Sequence, residues 1–386
     1  MNGRTTPAIV FLTRDLDIGG AQRQLIELAS GLHRLGWKVI VATFYGGGRL
    51  EPRLLESGAE LCALEKSGRW DLPGFVRRLV SLVRRERPDI VHGYLDTPNL
   101  VLALLKPWLK QARVVWGVRA SNMDTTRYDW LAAVESRLAA LFSRGADLII
   151  CNSEAGRVYH EGLGYPPAKL IVIPNGVDTQ RFRPDPAARD ALRKEWGIGD
   201  QEMLIGVVAR LDPMKDHRTF LKAAARTAAL HRHVKFVCVG EGARDYREAL
   251  ESEAAALGIE GRVVWCGARD DVPRVYNALD LLVSSSLFGE GFPNVIVEAM
   301  ATGVGCVATD VGDTAAIVGT LGRVCPPGDA EALAAAICDA IAHSKDDAAA
   351  LREQVCARYG AARLIERTAA ELARIAAPRS SLAARS

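Results

Sequence analysis

Short apolar runs rich in Val and Ile alternate with longer amphipathic stretches along nearly the whole chain. This rhythm constrains the fold more than any other feature. The runs fall at 8–12, 39–44, 90–92, 114–118, 148–151 and 170–173 in the first half, and at 203–208, 234–239, 263–266, 281–284 and 304–308 in the second. Several are uninterrupted rather than alternating, as strands read when both faces of a parallel sheet are covered. The stretches between them read as helices. Segment 21–35 sets Leu25, Leu28 and Leu32 on one stripe, and Asp329 is placed to N-cap a helix carrying Leu333, Ile337 and Ile341. Such alternation over 386 residues predicts an α/β fold of two doubly wound, Rossmann-like domains with five or six strands each.

The break between them is expected near 174–200. Pro174-Asn175-Gly176 is a turn signal, and Arg183-Pro184-Asp185-Pro186 does not easily continue a strand or helix. The expected division is a first domain at 1–178, a second at 179–365, and a helix end with a frayed tail at 366–386. Two such domains present their strand carboxyl ends to one another across a cleft, where ligands bind. Architecture alone fits sugar transferases, phosphorylases, epimerases and periplasmic binding proteins alike.

Charge and cysteine usage remove several classes. Basic residues number 49 against 46 acidic, a net +3, which does not suggest a nucleic-acid binder. The eight cysteines form no C-x-x-C pair, and no histidine lies in an H-E-x-x-H frame. No metal site is therefore expected, and the cysteines read as reduced core thiols. No apolar run approaches the ~20 residues of a membrane span. The first run, 8–12, is short for a signal peptide and is followed at once by Thr13-Arg14-Asp15, so the expected location is cytoplasmic.

The chemistry concentrates after the strands. Gly289-Glu290-Gly291-Phe292-Pro293-Asn294-Val295 leads from one strand into a helix whose first turn suits Pro293 and whose end suits Gly303. Glu290 then lies on the loop and Glu298 within the helix. Glycine allows close approach to a ligand, and a helix N-terminus favours an anion. Ionised carboxylates beside it suit sugar hydroxyls, so a ligand with both phosphates and sugars fits. Two solvated glutamates flanking an ordinary turn are the plainer alternative. Arg210 closes the first strand of the second half and Lys215 follows it. Together they can clamp a diphosphate, or they are two surface cations. Gly240-Glu241-Gly242 follows another strand but is not G-x-G-x-x-G, which counts against a dinucleotide site; the glycines suit a tight turn. Gly19 and Gly20 join the first strand to the first helix, as a phosphate-facing turn or a flexible loop, and no P-loop sequence occurs.

In this order, the marks Gly19-Gly20-Ala21-Gln22, Ile173-Pro174-Asn175-Gly176-Val177-Asp178, Arg210 with Lys215, Gly240-Glu241-Gly242, and Glu290 with Glu298 resemble a known family. The chain is similar, from about residue 9 to about 365, to the retaining glycosyltransferases of family 4 (group 1), which have the two-domain GT-B fold. The glutamate pair matches the family's E-x7-E motif. The resemblance implies that the second domain binds a nucleotide-diphosphate sugar, with UDP or GDP as the nucleotide. Glu298 would hold the ribose hydroxyls, and Arg210 and Lys215 the diphosphate. Glu290 with the backbone from Gly291 to Val295 would touch donor sugar and phosphate. Gly240 and Glu241 would line the donor site, and Gly19 and Gly20 would approach the diphosphate on closure. It implies no metal and no other cofactor.

One departure stands out. Many family members carry a His in a loop of the first domain where this chain has Arg119, and a guanidinium cannot serve as a general base near neutral pH. Glu290, Arg119, Arg210 and Lys215 are the expected catalytic set. His92, Arg119 and Asn122 are expected on the acceptor side, although His92 reads equally as a structural residue holding its loop. The resemblance implies a glycan or polyprenyl-linked acceptor in bacterial surface polysaccharide assembly. A nucleotide-sugar epimerase or hydrolase and a non-catalytic sugar-nucleotide sensor are the alternatives. A basic amphipathic segment at 77–87 and the cationic, aromatic stretch at 105–110 suit either an ordinary solvated face or the anionic inner face of the cell membrane.

Overall fold

A computed structural model describes residues 6–68, 70–109, 112–119, 130–343 and 348–377, with the side chains of 130–136 left out. The chain forms two compact units: one runs to Gly176 and resumes at Ala361, and the other comprises Val177–Gly360. The chain passes from one unit to the other at Gly176.

Seven parallel strands build the sheet of the first unit: β1 (Ala8–Thr13), β2 (Lys38–Thr43), β3 (Glu60–Ala63), β4 (Ile90–Tyr94), β5 (Arg113–Val118), β6 (Leu148–Cys151) and β7 (Leu170–Val172). Their order is β3-β2-β1-β4-β5-β6-β7. The second unit has β8 (Met203–Val208), β9 (Val234–Val239), β10 (Val263–Gly267), β11 (Leu281–Ser284), β12 (Gly305–Thr309) and β13 (Arg323–Cys325), in the order β10-β9-β8-β11-β12-β13. Both sheets are doubly wound. In each, the strand order reverses between the first strand and the one that crosses over it: β1 beside β4, and β8 beside β11. Loops diverge at that point, opening a crevice at the strand carboxyl ends.

All six residues of β1 are buried, so its unbroken apolar run reflects cover on both faces. Every expected strand is present, and each sheet gains one more. Both additions, β3 and β13, are short edge strands of partly exposed residues, so neither carries a long apolar run. Asp329 caps its helix as expected, its Oδ1 accepting from the amides of Glu331 and Ala332. Pro293 occupies the N-cap of the helix Asn294–Ala301, one position ahead of the expected first turn. Gly303 follows that helix with φ +81°, a left-handed end that favours glycine.

The C-terminal end departs from the expected division. The helix Ala361–Ala376 belongs to the first unit rather than extending the second to 365. Its Leu364 and Leu372 join the apolar layer formed by Ile9, Phe11, Leu25, Leu28 and Leu32, which would otherwise lie open. The expected frayed tail from 378 lies outside the described residues.

Gly31 makes this docking possible. A Cβ at Gly31 would overlap the side chain of Ile365. Gly31→Ala is expected to destabilise the first unit by about 1–2 kcal/mol, the overpacking outweighing a helix-propensity gain of about 1 kcal/mol. In an Ile365→Ala background the sign should reverse. Urea unfolding of the four proteins of this cycle checks both statements.

Candidate active site

The loops that follow β8 and β9 run side by side. The Ala209 amide donates to the Val239 carbonyl at 3.0 Å and the Leu211 amide to the Glu241 carbonyl at 2.9 Å. A Cβ at Gly240 would strike the Ala209 carbonyl and one at Gly242 the Leu211 carbonyl, and Gly240 has φ +149°. Close backbone contact, rather than a tight turn, therefore explains these glycines. Between them Glu241 is exposed.

Beyond Leu211, Asp212 turns the chain by accepting from the Met214 amide at 2.9 Å. Asp216, left-handed with φ +46°, caps the helix His217–Leu230 by accepting from Thr219. This short turn delivers Lys215 to Glu290, which lies on the loop after the neighbouring strand β11. The Lys215 Nζ bonds Glu290 Oε1, and Ser286 Oγ donates to the same oxygen at 2.8 Å. The two charged side chains are 18% and 13% exposed. Burial pushes the Glu290 carboxyl up, but the charge and hydrogen bond of Lys215, the bond from Ser286 and the charge of Arg210 outweigh it. The carboxyl is held below its usual range. Arg210 is 68% exposed and 3.7 Å from Asp212, a loose surface pair.

Arg210, Lys215 and Glu290 thus come together at the strand reversal of the second sheet. Behind Glu290 the loop is fixed by Phe292, which packs on Tyr359, and by the Asp313 amide, which donates to the Gly291 carbonyl at 3.0 Å. Asn294 and Val295 open the helix that carries Glu298. Glu298 is buried, and its Oε2 accepts from the Tyr276 hydroxyl at 2.7 Å.

Several of these supports were not singled out in the sequence. Gly312, with φ +65°, leaves room for the Glu290 and Gly291 carbonyls. Its signal was a glycine just past the strand at 304–308. Tyr276 and Ser286 carry no local signal. His217 is fully buried, and neither ring nitrogen has a hydrogen-bond partner. Burial first, then the charge of Lys215, pushes its pKa down to about 4 against the opposing pull of Asp212. It stays neutral and adds no third positive charge.

In the first unit, Gly19 precedes the helix Gly20–Arg34 in extended backbone, with φ −165°. A Cβ there would meet only the flexible Gln22 side chain, so backbone strain does not impose this glycine. The turn Pro174-Asn175-Gly176 is locked instead by Gln24, whose amide both donates to the Gly176 carbonyl at 2.7 Å and accepts from its N–H at 3.0 Å.

Arg119, just past β5, donates from Nη1 to Asn175 Oδ1 at 2.9 Å and stacks its guanidinium over Tyr94 at 4.3 Å. Its Nε is buried without a partner, and among the described residues no carboxylate pairs with it. His92, on β4, is fully buried between Phe11 and Tyr94. Burial, with Arg119 second, pushes its pKa down to about 3. Of its two sequence readings, this burial favours the structural one. Asn122 lies outside the described residues. Among the described residues no group of three or more His, Cys, Asp and Glu side chains is arranged to hold a metal ion. No described helix is long and apolar enough to cross a membrane.

Two family descriptions match this chain. "Glycosyl transferases group 1" matches residues 202–343 and "Glycosyltransferase Family 4" matches 18–181. An Escherichia coli UDP-Gal:alpha-D-GlcNAc-diphosphoundecaprenol alpha-1,3-galactosyltransferase is 27% identical over 60% of this chain and 60% of its own length. A D-inositol 3-phosphate glycosyltransferase of Mycobacterium sp. (strain KMS) is 29% identical over 77% of this chain and 71% of its own. Among solved structures, Anabaena Alr3699/HepE in complex with UDP and glucose superposes with a TM-score of 0.84. It is 24% identical, over 95% of this chain and 99% of that one.

The buried histidine on β4 makes the first unit acid-sensitive. The unfolded chain binds a proton at His92 below its ordinary pKa of 6.5, whereas the folded chain resists until about 3. Stability is therefore fully present above pH 6.5 and falls as the pH drops towards 3, by up to about 1.4 kcal/mol per pH unit. His92→Phe should remove this part of the slope in urea unfolding between pH 7 and 5. His160 and His217, also buried with lowered pKa values, leave a residual slope. An unchanged slope in His92→Phe would contradict the assignment.

Proposed function

Because the chain belongs to the family 4 (group 1) glycosyltransferases, we propose that it moves a sugar from a nucleotide-diphosphate donor to a hydroxyl of a glycan or lipid-linked acceptor. We assign UDP or GDP as the nucleotide, retention of anomeric configuration, and no bound metal. The observation that carries this reading is the convergence of Lys215, Arg210 and Glu290 at the reversal between β8 and β11. In a doubly wound sheet that is where a nucleotide ligand sits.

Each group has a task in such a transfer. As the bond from the anomeric carbon to the phosphate breaks, negative charge grows on the leaving diphosphate. Lys215 stabilises it as a point charge, and the exposed Arg210 is free to swing to it with a bidentate fork. In their absence a metal ion would have to supply that charge. Glu290, kept ionised, accepts hydrogen bonds from donor-sugar hydroxyls. Glu298, steadied by Tyr276, accepts from the ribose. Arg119 serves an anionic group of the substrates, a role that suits a guanidinium that no carboxylate among the described residues pairs with. The phosphate-bearing acceptors named for the E. coli and Mycobacterium relatives support that assignment.

We further propose a setting in bacterial surface polysaccharide assembly at the inner face of the cell membrane; the diphosphoundecaprenol acceptor named for the E. coli relative supports it. The helix Leu72–Glu86 offers Arg77, Arg84 and Arg85 to solvent, with Trp70 and Leu72 exposed at its start. This face suits anionic lipid. Pelleting with phosphatidylglycerol vesicles should exceed pelleting with phosphatidylcholine vesicles and fall in an Arg77→Glu, Arg84→Glu double variant. Equal pelleting would count against the surface.

Binding and turnover test the central reading. A single nucleotide class, UDP or GDP, should raise the melting temperature by roughly 2–4 °C at about a hundred times its Kd, and Glu298→Ala should abolish the shift. Transfer to a polyprenyl-diphosphate sugar should require that acceptor and fall at least about a hundredfold in Glu290→Ala. The anomeric coupling of the product, read by NMR, reports retention. Donor consumption at an unchanged rate without acceptor would indicate a hydrolase or epimerase instead.

A further inference from the structure

We propose that Ser286, backed by Thr309, is a positioning residue that holds the Glu290 carboxylate in place for transfer. The proposal rests on the reading that Glu290 touches the donor. Just past β11, the consecutive Ser285 and Ser286 are both buried, and their hydroxyls reach different partners. Ser285 Oγ donates to the Lys215 carbonyl at 2.8 Å, and Ser286 Oγ donates to Glu290 Oε1 at 2.8 Å. One serine therefore fixes the backbone that carries the cation, and the next fixes the carboxylate that the cation meets. The Leu287 amide adds a bond to the Met214 carbonyl at 2.8 Å and closes the loop after β11 against the turn after β8.

Thr309, buried at the end of β12, supplies the anchor behind Ser286. Its hydroxyl donates to the Ser286 carbonyl at 2.6 Å and lies 3.3 Å from the Ser284 carbonyl. A chain of hydroxyls thus runs from Thr309 through the Ser286 peptide and side chain to Glu290. Lys215 alone could not set the carboxylate's orientation, because a flexible ammonium can donate to an oxygen from many directions. A hydroxyl on a pinned backbone can donate along few. Lys215 supplies the charge and Ser286 the direction. The chain also keeps Glu290 ionised, since a hydroxyl donating to the carboxylate favours its charged form.

Three variants test the proposal: Ser286→Ala removes the bond, Ser286→Thr keeps a hydroxyl, and Thr309→Val removes the anchor at nearly constant shape. In Ser286→Ala we expect kcat to fall about tenfold or more with donor KM changed less than twofold. The acid limb of the pH profile should move to higher pH. Ser286→Thr should restore most of kcat, and Thr309→Val should fall between. Titration of carboxyl-13C glutamate by NMR, with Glu290→Gln for assignment, gives a readout that needs no activity: the Glu290 pKa should rise in Ser286→Ala and return in Ser286→Thr. An unchanged Glu290 titration and kcat in Ser286→Ala would falsify the proposal. Equal losses in Ser286→Ala and Ser286→Thr together with a lowered melting temperature would overturn it too, as packing alone. If wild-type protein transfers no sugar while the titration still shifts, the transferase reading fails and the positioning of Glu290 stands.

Discussion

Parallel pairing is the constraint on which the rest depends. When every strand of a sheet runs the same way, all the loops that follow strands emerge at one edge. Residues far apart in sequence then meet without any dedicated scaffold. Lys215 and Glu290 are 75 positions apart, yet each follows directly on one of two neighbouring strands, β8 and β11. Those strands are neighbours because the winding reverses there, so no helix packs between their loops at the carboxyl edge. The first sheet obeys the same logic. Tyr94 ends β4, Arg119 follows β5 and Asn175 lies past β7, and the three meet at one edge.

Electrostatics at these edges is arranged by neutralising some groups and pairing others. Glu290 stays ionised because Lys215, Ser286 and Arg210 together outweigh its desolvation. His217 and His92 lie beside cations but remain neutral, because burial removes the water their charged forms need. A protonated His217 beside Lys215 would repel it and loosen the pair with Glu290. The buried, uncharged imidazole therefore fills space without disturbing the charge balance. Tyr94 plays a comparable part for Arg119, offering its ring face where a carboxylate would cancel the charge.

The sequence made the strand–helix rhythm legible because burial on both faces leaves unbroken apolar runs, as in β1 and β8. Two of the four edge strands, β3 and β13, escaped because each is short and opens on a charged residue, so its apolar run is brief. Arg210, Lys215, Glu290 and Glu298 were legible because each sits a fixed few residues after a strand or inside the following helix. Their supports were not. Tyr276 reaches Glu298 from a different helix, Ser286 is one serine among three, and Gly312 matters only because two carbonyls from another loop pass beneath it. These are long-range facts, fixed by packing rather than by local pattern. The C-terminal helix is a similar case, since its return to the first unit depends on a glycine over three hundred residues earlier, at position 31.

On the proposed reading, proton bookkeeping narrows the mechanism. The acceptor hydroxyl must lose a proton as its oxygen bonds the anomeric carbon. In the first unit, His92 cannot take it, being sealed in an aromatic layer with a pKa near 3. Arg119 cannot, because a guanidinium has no lone pair to offer at any ordinary pH. In the second unit Glu290 is committed as an acceptor from Lys215 and Ser286, which hold it below its usual pKa and make it a poor base. On that reading the leaving diphosphate can take it, since its oxygen gains the electron pair of the broken bond and becomes more basic as it departs. It leaves from the face on which the acceptor arrives if configuration is retained, so proton and electron pair travel to the same oxygen. A site built this way needs cations that stabilise the phosphate early without neutralising it completely. On that reading, one held lysine and one loosely held arginine would supply them.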